Sequence, residues 1–295
     1  MQARLLITHA LSPLHAGTGQ GVGVIDLPIA REKATSIPYL PGSSLKGVLR
    51  DACQEHAPNN VTTIFGPDTN NASDHAGSAQ FTDQRLLLLP IRSLAGTFAW
   101  VTSPYLLKRF QRDAADAGIT GVPQAVPEPT DKEACCTQKQ ESALLVSVSD
   151  TKKIVLEDLD LAPCKEQTTD AWATWLAPHI FPDAPQWQTM LSQRLCIVHD
   201  NVLSFLLTTA TEITARIKLS EGSKTVTKGG LWYEEALPTE TILSGLLVAT
   251  PVKATPDTIF TTIGTLISKP LQFGGSATVG RGLCRMRMVQ SEGGQ

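Results

Sequence analysis

The sequence predicts an α+β fold: a ferredoxin-like core that carries one large insertion and a separate β-hairpin. Three observations point to it. Strand-like and helix-like segments run strand, helix, strand, strand in the N-terminal part and strand, helix, strand in the C-terminal part, the split β-α-β order. A proline-punctuated block from about residue 119 to about 207 interrupts that order. A ribbon of alternating apolar and polar residues between about 208 and 237 belongs to neither part. The chain therefore reads as a single domain over 1–295, with a core of roughly 1–58, 78–118 and 238–290.

Each element has its own warrant. Arg4 to Leu11 reads as a strand. Pro41-Gly42-Ser43-Ser44 opens a helix in which Leu45, Val48, Leu49, Ala52 and Cys53 share one face, with Ser43 or Ser44 as N-cap. Lys46 and Arg50 are i,i+4 neighbours on the opposite face. Residues 59–79, rich in Asn, Asp, Gly and Ser, read as a surface loop. Gln80 to Ile91 and Gly96 to Thr102 read as strands. Ser103 as N-cap and Pro104 at N1 start a second helix that ends at Gly118. Pro123, Pro127 and Pro129 make Gly121 to Thr130 a linker. Ser142 to Leu161 reads as a strand pair, and Ala171 to Leu207, with Trp172, Trp175 and Trp187, reads as helical. In the ribbon, Ile213, Ala215, Ile217 and Leu219 alternate with Thr214, Arg216 and Lys218. A Ser220-Glu221-Gly222-Ser223 turn then leads to Lys224, Val226 and Lys228, so the hairpin carries a basic face. Thr241 to Ala249 is a strand, and Ile259, Phe260, Ile263, Leu266 and Ile267 mark the last helix. In the final strand Cys284, Met286 and Met288 alternate with Arg285 and Arg287.

Composition narrows the class. At 295 residues, 42% hydrophobic and 18% charged, the chain is an ordinary globular protein with ample core. No run approaches the ~20 apolar residues of a membrane span. The start, Met1 to Leu5, lacks the apolar core of a signal peptide, which makes the cytoplasm the expected compartment and a membrane no partner. Six cysteines without C-x-x-C spacing are expected as reduced thiols rather than a zinc site or disulfide framework. A net charge of −3 argues against generic electrostatic binding of nucleic acid but permits a local basic track.

Two glycine-rich segments flank the first and last strands: His15 to Asp26, and Gly274 to Gly282. The first fails the dinucleotide fingerprint, since Gly17, Gly19, Gly21 and Gly23 follow G-x-G-x-G-x-G and no helix opens after them. The second has the gap of a phosphate-binding P-loop, yet Arg281-Gly282 replaces Lys-Ser/Thr and a strand follows. Two readings remain: tight turns packed against the strands, and close approach of backbone to an extended phosphodiester, with Arg281 a candidate contact. Lys46 and Arg50, near a helix N-terminus, add a place for phosphate.

Taken together, Leu14-His15-Ala16-Gly17-Thr18-Gly19, Gly23 to Glu32 and Ile37 to Gly47 resemble the N-terminal signature of RAMP proteins, the repeat-associated proteins of CRISPR effector complexes. Gly274 to Gly282 resembles their C-terminal glycine loop, and Leu231 to Thr241 is similar to the repeated backbone subunit of the type III-B (Cmr) complex. The middle of the chain, about 59–207, matches by position only. The resemblance implies an RNA-recognition-like palm, a helical lid (119–207) and a β-hairpin thumb (208–237), mobile until RNA and a neighbour order it. It implies copies stacked along a CRISPR guide RNA beside other Cmr subunits. It also implies cleavage of paired single-stranded target RNA with Mg²⁺ (or Mn²⁺), leaving 2′,3′-cyclic phosphate and 5′-hydroxyl ends.

The same resemblance makes Asp26 the catalytic carboxylate and metal ligand. His15 is a candidate general acid, and Tyr233, Glu234 and Glu235 are candidates to complete the site. Contacts to RNA are expected from Gly17, Gly19, Ser43, Ser44, Lys46, Arg50, Arg216, Lys218, Gly275, Gly280, Arg281 and Gly282. Four alternatives stay open on the sequence: a non-catalytic guide-spacing scaffold, a type III-A backbone homologue, a stand-alone guide-processing endonuclease and a small-molecule phosphate enzyme.

Overall fold

The computed structural model describes residues 1–289 apart from residues 20, 22–23, 69–72, 140, 149, 165–167, 221 and 223–224. Gln20, Val22, Gly23, Glu221, Ser223 and Lys224 of the segments above lie outside the described residues.

The chain begins with β1 (Gln2–Ala10), β2 (Tyr39–Leu40), α1 (Gly42–His56) and α2 (Val61–Phe65). Next come β3 (Ala79–Phe81), β4 (Gln84–Arg92), β5 (Phe98–Thr102) and α3 (Pro104–Asp116). The insertion holds β6 (Glu133–Cys136), β7 (Leu145–Val148), β8 (Thr151–Leu156), β9 (Leu159–Pro163), α4 (Thr168–Ile180), α5 (Pro185–Arg194), β10 (Leu195–Val198) and α6 (Asp200–Thr209). The hairpin is β11 (Glu212–Leu219) and β12 (Val226–Ala236). The chain closes with β13 (Ile242–Ala249), α7 (Pro256–Leu266), β14 (Leu271–Gln272) and β15 (Leu283–Val289).

One mostly antiparallel sheet runs in the order β14-β15-β1-β13-β4-β5-β10-β6-β9-β8-β7, with β2 beside β4 and β3 beside β13. Within it, β1-α1-β4 and β13-α7-β15 are the expected split β-α-β core. β1 alternates between two cores: Leu6 and Ala10 pack with α1, α2 and α7, whereas Leu5 and Ile7 pack with α3, α4 and α5. A sheet covered on both sides explains why its central strands read as apolar runs.

Several expectations are corrected. The insertion is not a purely helical lid with one strand pair: beside α4, α5 and α6 it holds β10, β6, β9, β8 and β7, which continue the core sheet beyond β5. β10 (Leu-Cys-Ile-Val, fully buried) hid inside a helical run, since a short apolar stretch carries no period of its own. Residues 59–79 contain α2, whose Val61, Ile64 and Phe65 are buried. The strand expected over 80–91 is two, broken at Thr82 and Asp83. Thr82 Oγ1 accepts the Leu246 N–H at 2.8 Å, and Asp83 Oδ1 accepts the Gly42 N–H at 2.9 Å. α1 therefore starts one residue before Ser43, and neither Ser43 nor Ser44 is its N-cap. Pro41 holds that position without a side-chain bond, and Asp83 satisfies the free N–H from across the chain. Finally, Cys135 and Cys164 form a disulfide, while Cys53, Cys136, Cys196 and Cys284 are free and buried. α3 starts after Ser103 with Pro104 in its first turn, though the Ser103 side chain makes no capping bond, and Thr255 caps α7 by accepting the Thr258 N–H. Among the described residues no helix is long and apolar enough to cross a membrane.

Candidate functional site

The root of the hairpin gathers both glycine segments. Leu14 pairs with Leu237, Gly17 with Ile29, and Leu27 with Glu234. Gly275 N–H donates to the His15 carbonyl at 2.9 Å, and Gly282 N–H to Pro13 at 2.8 Å. Gly274 (φ +74°) lies so close to the His15 carbonyl that a Cβ would collide with it, and Gly282 (φ +76°) is packed the same way on Phe273. His15 is buried between the segments: a Cβ on Gly17 would sit 2.5 Å from its Nε2. Its Nδ1 lies 2.6 Å from the Glu235 carbonyl. That partner only accepts, so Nδ1 carries the proton and Nε2 is the nitrogen left over.

Asp26 is exposed at this root. Its Oδ2 accepts the Tyr233 N–H at 2.7 Å, and Oδ1 has no hydrogen-bond partner among the described residues. The two glutamates beside it are placed differently. Successive strand residues point to opposite faces, and both carboxylates are buried. Glu234 Oε2 accepts from Arg216 Nε at 3.2 Å, and Oε1 lies 3.3 Å from Arg281 Nε. Burial pushes the Glu234 carboxyl up, but the Ser276 hydroxyl, Arg281, Arg216 and His15 outweigh it and hold the group below the ordinary carboxylate range. Glu235 accepts from Arg31 Nη2 at 2.6 Å and from the Ile29 N–H at 3.0 Å.

The structure thus brings Asp26, His15, Tyr233, Glu234 and Glu235 together, but only Asp26 presents a carboxylate to the surface. Two residues expected to contact RNA do not reach the surface of this chain. Arg281 is 6% exposed; it sits beneath the hairpin beside Glu234 and 3.8 Å from Glu212, and donates to Thr214 at 2.9 Å. Gly282 is buried. Arg50 is also engaged internally, by the Gly66 carbonyl at 2.8 Å and Asp68 at 2.5 Å. Arg216 is held by Glu234. Lys46 and the exposed Lys218 have no ion pair among the described residues, and Gly17, Gly19, Gly275, Gly280 and Ser43 are exposed, with Ser44 half-buried.

The basic ribbon has a second face that the sequence reading gave no role. Ala215 is opposite Tyr233 and Ile217 opposite Leu231, so these residues share a face with Ile213. Ile213, Ile217 and Leu231 are each more than half exposed. The apolar alternation was visible in the sequence, but not that nothing covers it. Arg31, within a quoted segment but without an assigned role, is a second omission.

Among the described residues no group of three or more His, Cys, Asp or Glu side chains could hold a metal ion. The donors nevertheless fit a divalent ion of one kind. Asp26 Oδ1, exposed and without a partner among the described residues, is the kind of donor that suits a largely hydrated Mg²⁺. Glu234 and Glu235 face arginines and add no ligand.

Comparison with known proteins agrees with this architecture. The sequence model of the RAMP superfamily matches residues 9–285. A CRISPR system Cmr endoribonuclease, Cmr4, of Pyrococcus furiosus is 35% identical over all of this chain and 99% of its own length. The crystal structure of oligomeric Cmr4 from the same organism superposes with a TM-score of 0.75 at 28% identity, covering 98% of this chain and all of that one. A type III-B Cmr-beta cryo-EM structure bound to cognate target RNA shares the fold, with a TM-score of 0.73 at 21% identity over 98% of this chain and 97% of that one.

Proposed function

This chain belongs to the RAMP superfamily, and we propose that it is a backbone subunit of a type III-B Cmr complex that lies along guide RNA and cuts paired target RNA. The observation that carries this reading is Asp26: an exposed carboxylate held by the Tyr233 N–H at the hairpin root, in a chain similar over its whole length to a Cmr endoribonuclease. Its partners in this reading are guide RNA, target RNA, further copies of itself and the other Cmr subunits. The oligomeric state of the Pyrococcus relative supports self-association.

RNA can supply its own nucleophile. Attack of a 2′-oxygen on the adjacent phosphorus forms the cyclic phosphate as the bond to the 5′-oxygen breaks, leaving a 5′-hydroxyl. The protein must hold the three atoms in line and stabilise the charge that gathers on the phosphate. Asp26 would hold Mg²⁺ (or Mn²⁺) against that phosphate, and the ion, when bound, neutralises part of the charge. Gly17, Gly19 and Gly275 are exposed and, having no side chain, would let a strand come close to the backbone at the hairpin root. Ile217, Leu231 and Tyr233 give an unstacked base an apolar surface, which suits bending the backbone into line. Lys46 and Lys218, without an ion pair among the described residues, are cations that would meet phosphates. His15 supports the site from below through Nδ1, and the general-acid role expected of it would have to use the buried Nε2.

Reconstitution of the complex with guide and labelled target tests this. Asp26→Ala should stop cleavage and leave guide binding and assembly intact, and a chelator should stop the wild type. Wild-type cleavage by Asp26→Ala would remove Asp26 from the site. No cleavage by the wild-type complex would leave the chain a guide-spacing scaffold.

A further inference from the structure

We propose that Glu235, with Arg31, is a positioning residue that clamps the segment after Asp26 to the hairpin root; this rests on Asp26 being the acting carboxylate. Four bonds converge on Glu235. Its N–H donates to the Leu27 carbonyl at 3.0 Å. Its Oε2 accepts the Ile29 N–H at 3.0 Å, and its Oε1 accepts Arg31 Nη2 at 2.6 Å. Its carbonyl accepts His15 Nδ1 at 2.6 Å. Arg31 extends the clamp, donating through Nη2 to Leu207 in the last turn of α6 and through Nη1 to Ser36, each at 3.0 Å. The next residue, Glu32, accepts from both terminal nitrogens of Arg109 on α3, at 2.5 and 3.0 Å. Leu27, Ile29, Arg31 and Glu32 are thus fixed to three separate elements, whereas the Asp26 side chain makes one bond among the described residues. The arrangement fixes where Asp26 stands without occupying its free oxygen.

The same geometry denies Glu235 a reacting role. Its residue is 3% exposed, and both oxygens are occupied, Oε2 by the Ile29 N–H and Oε1 by Arg31. Glu235→Gln separates the two roles, because it keeps the shape but supplies one acceptor where two donors converge. Its NH₂ must then face either Ile29 N–H or Arg31. The loop has to shift, and a shift near 1 Å costs about 100-fold in rate for a group that acts by position.

The experiment uses the reconstituted complex and single-turnover cleavage of labelled target. For Glu235→Gln we expect the rate to fall about 10- to 100-fold, with target affinity unchanged and the same shape of pH–rate profile. A changed limb of that profile would make Glu235 a reacting group and overturn the proposal, as would a wild-type rate. Where Glu235→Gln fails to assemble, Arg31→Lys replaces it. That variant keeps the charge beside Glu235 but cannot serve Glu235, Leu207 and Ser36 together, and it must show the same slowed rate at intact affinity. A wild-type rate for Arg31→Lys, or loss of assembly here too, overturns the clamp. Asp26→Asn run alongside keeps the two readings apart. Cleavage by Asp26→Asn sinks the reading of the site, whereas a dead Asp26→Asn beside a fully active Glu235→Gln sinks only the clamp.

Discussion

The root of the hairpin and the surface around it use the same residue types in opposite ways. At the root, Arg31, Arg281, Glu234 and Glu235 are matched to one another, and Arg281, Glu234 and Glu235 are almost wholly buried. A few residues away, Asp26, Lys46 and Lys218 are free of ion pairs among the described residues, and Ile213, Ile217 and Leu231 are bare. The difference teaches that charge alone does not mark an RNA contact in this chain. A group the fold has already matched gives rigidity, and a group left unmatched on the surface is available to a partner.

The largest effect on the root should come from Arg281→Ala. Removing one partner from a buried pair typically costs about 3–5 kcal/mol, because the other charge is left behind. Here that charge is Glu234, whose carboxyl is pushed up by burial but held below its ordinary range by Ser276, Arg281, Arg216 and His15. A carboxyl lowered in the folded state adds stability above its unfolded pKa, and that stability is lost as pH falls through the folded value. Without Arg281 the folded value rises, so acid unfolding should begin at higher pH. Thermal melts of the wild type and Arg281→Ala between neutral and acidic pH measure both effects. Unchanged melting at neutral pH would show that the root is not held by this pair, and the contrast with the surface would fail.

The contrast also explains what could be read in advance. α1, α3, α7 and the last strand are local: their periods and their helix-initiating prolines lie within a few residues, so the sequence displays them, although the bond that caps α1 comes from distant Asp83. The split β-α-β order followed from them. The roles of Glu234 and Glu235 were not legible, because neighbours in sequence are sent to opposite faces and meet partners 18 and 204 positions away. Arg281 looked like a phosphate contact because a glycine loop surrounds it; that it points under the hairpin depends on β11, which lies far off in sequence. The bond between Cys135 and Cys164 bridges 29 residues and has no spacing signature. Asp26 was found through the resemblance, since a lone Asp in a loop is otherwise an ordinary turn residue.

A smaller effect is expected on the surface side from Lys46→Glu. Lys46 lies in the second turn of α1, where the Gly42 N–H is already taken by Asp83, so the helix terminus gives an anion less than its dipole suggests. If Lys46 itself meets a guide phosphate, its loss should weaken guide binding at every sequence and reduce the salt slope by about one. Arg50→Ala, whose guanidinium is held by Gly66 and Asp68, should leave that slope alone. Equal slopes for Lys46→Glu and the wild type would withdraw Lys46 from the RNA surface. A reduced slope for Arg50→Ala would show that matched groups can be released to a ligand.

The smallest effect on the folded chain, and the sharpest test of the contrast, belongs to the apolar face of the hairpin. Ile217 and Leu231 are 53% and 52% exposed and directly opposite each other. Changing both to Ser removes little that is buried in the isolated chain, so stability should stay within about 0.5 kcal/mol per site, as for ordinary surface positions. A two-stranded ribbon outside the main sheet has few other contacts, so the isolated chain's melting temperature is the right control. In the assembled complex the same pair of changes should slow target cleavage, because the face then offers polar side chains where an unstacked base or a neighbouring subunit would rest. A lowered melting temperature in the isolated chain would mean the face is packed within its own fold. Unchanged cleavage and assembly would mean that being left bare is no sign of use, and the inference from unmatched groups to partners would lose its apolar half.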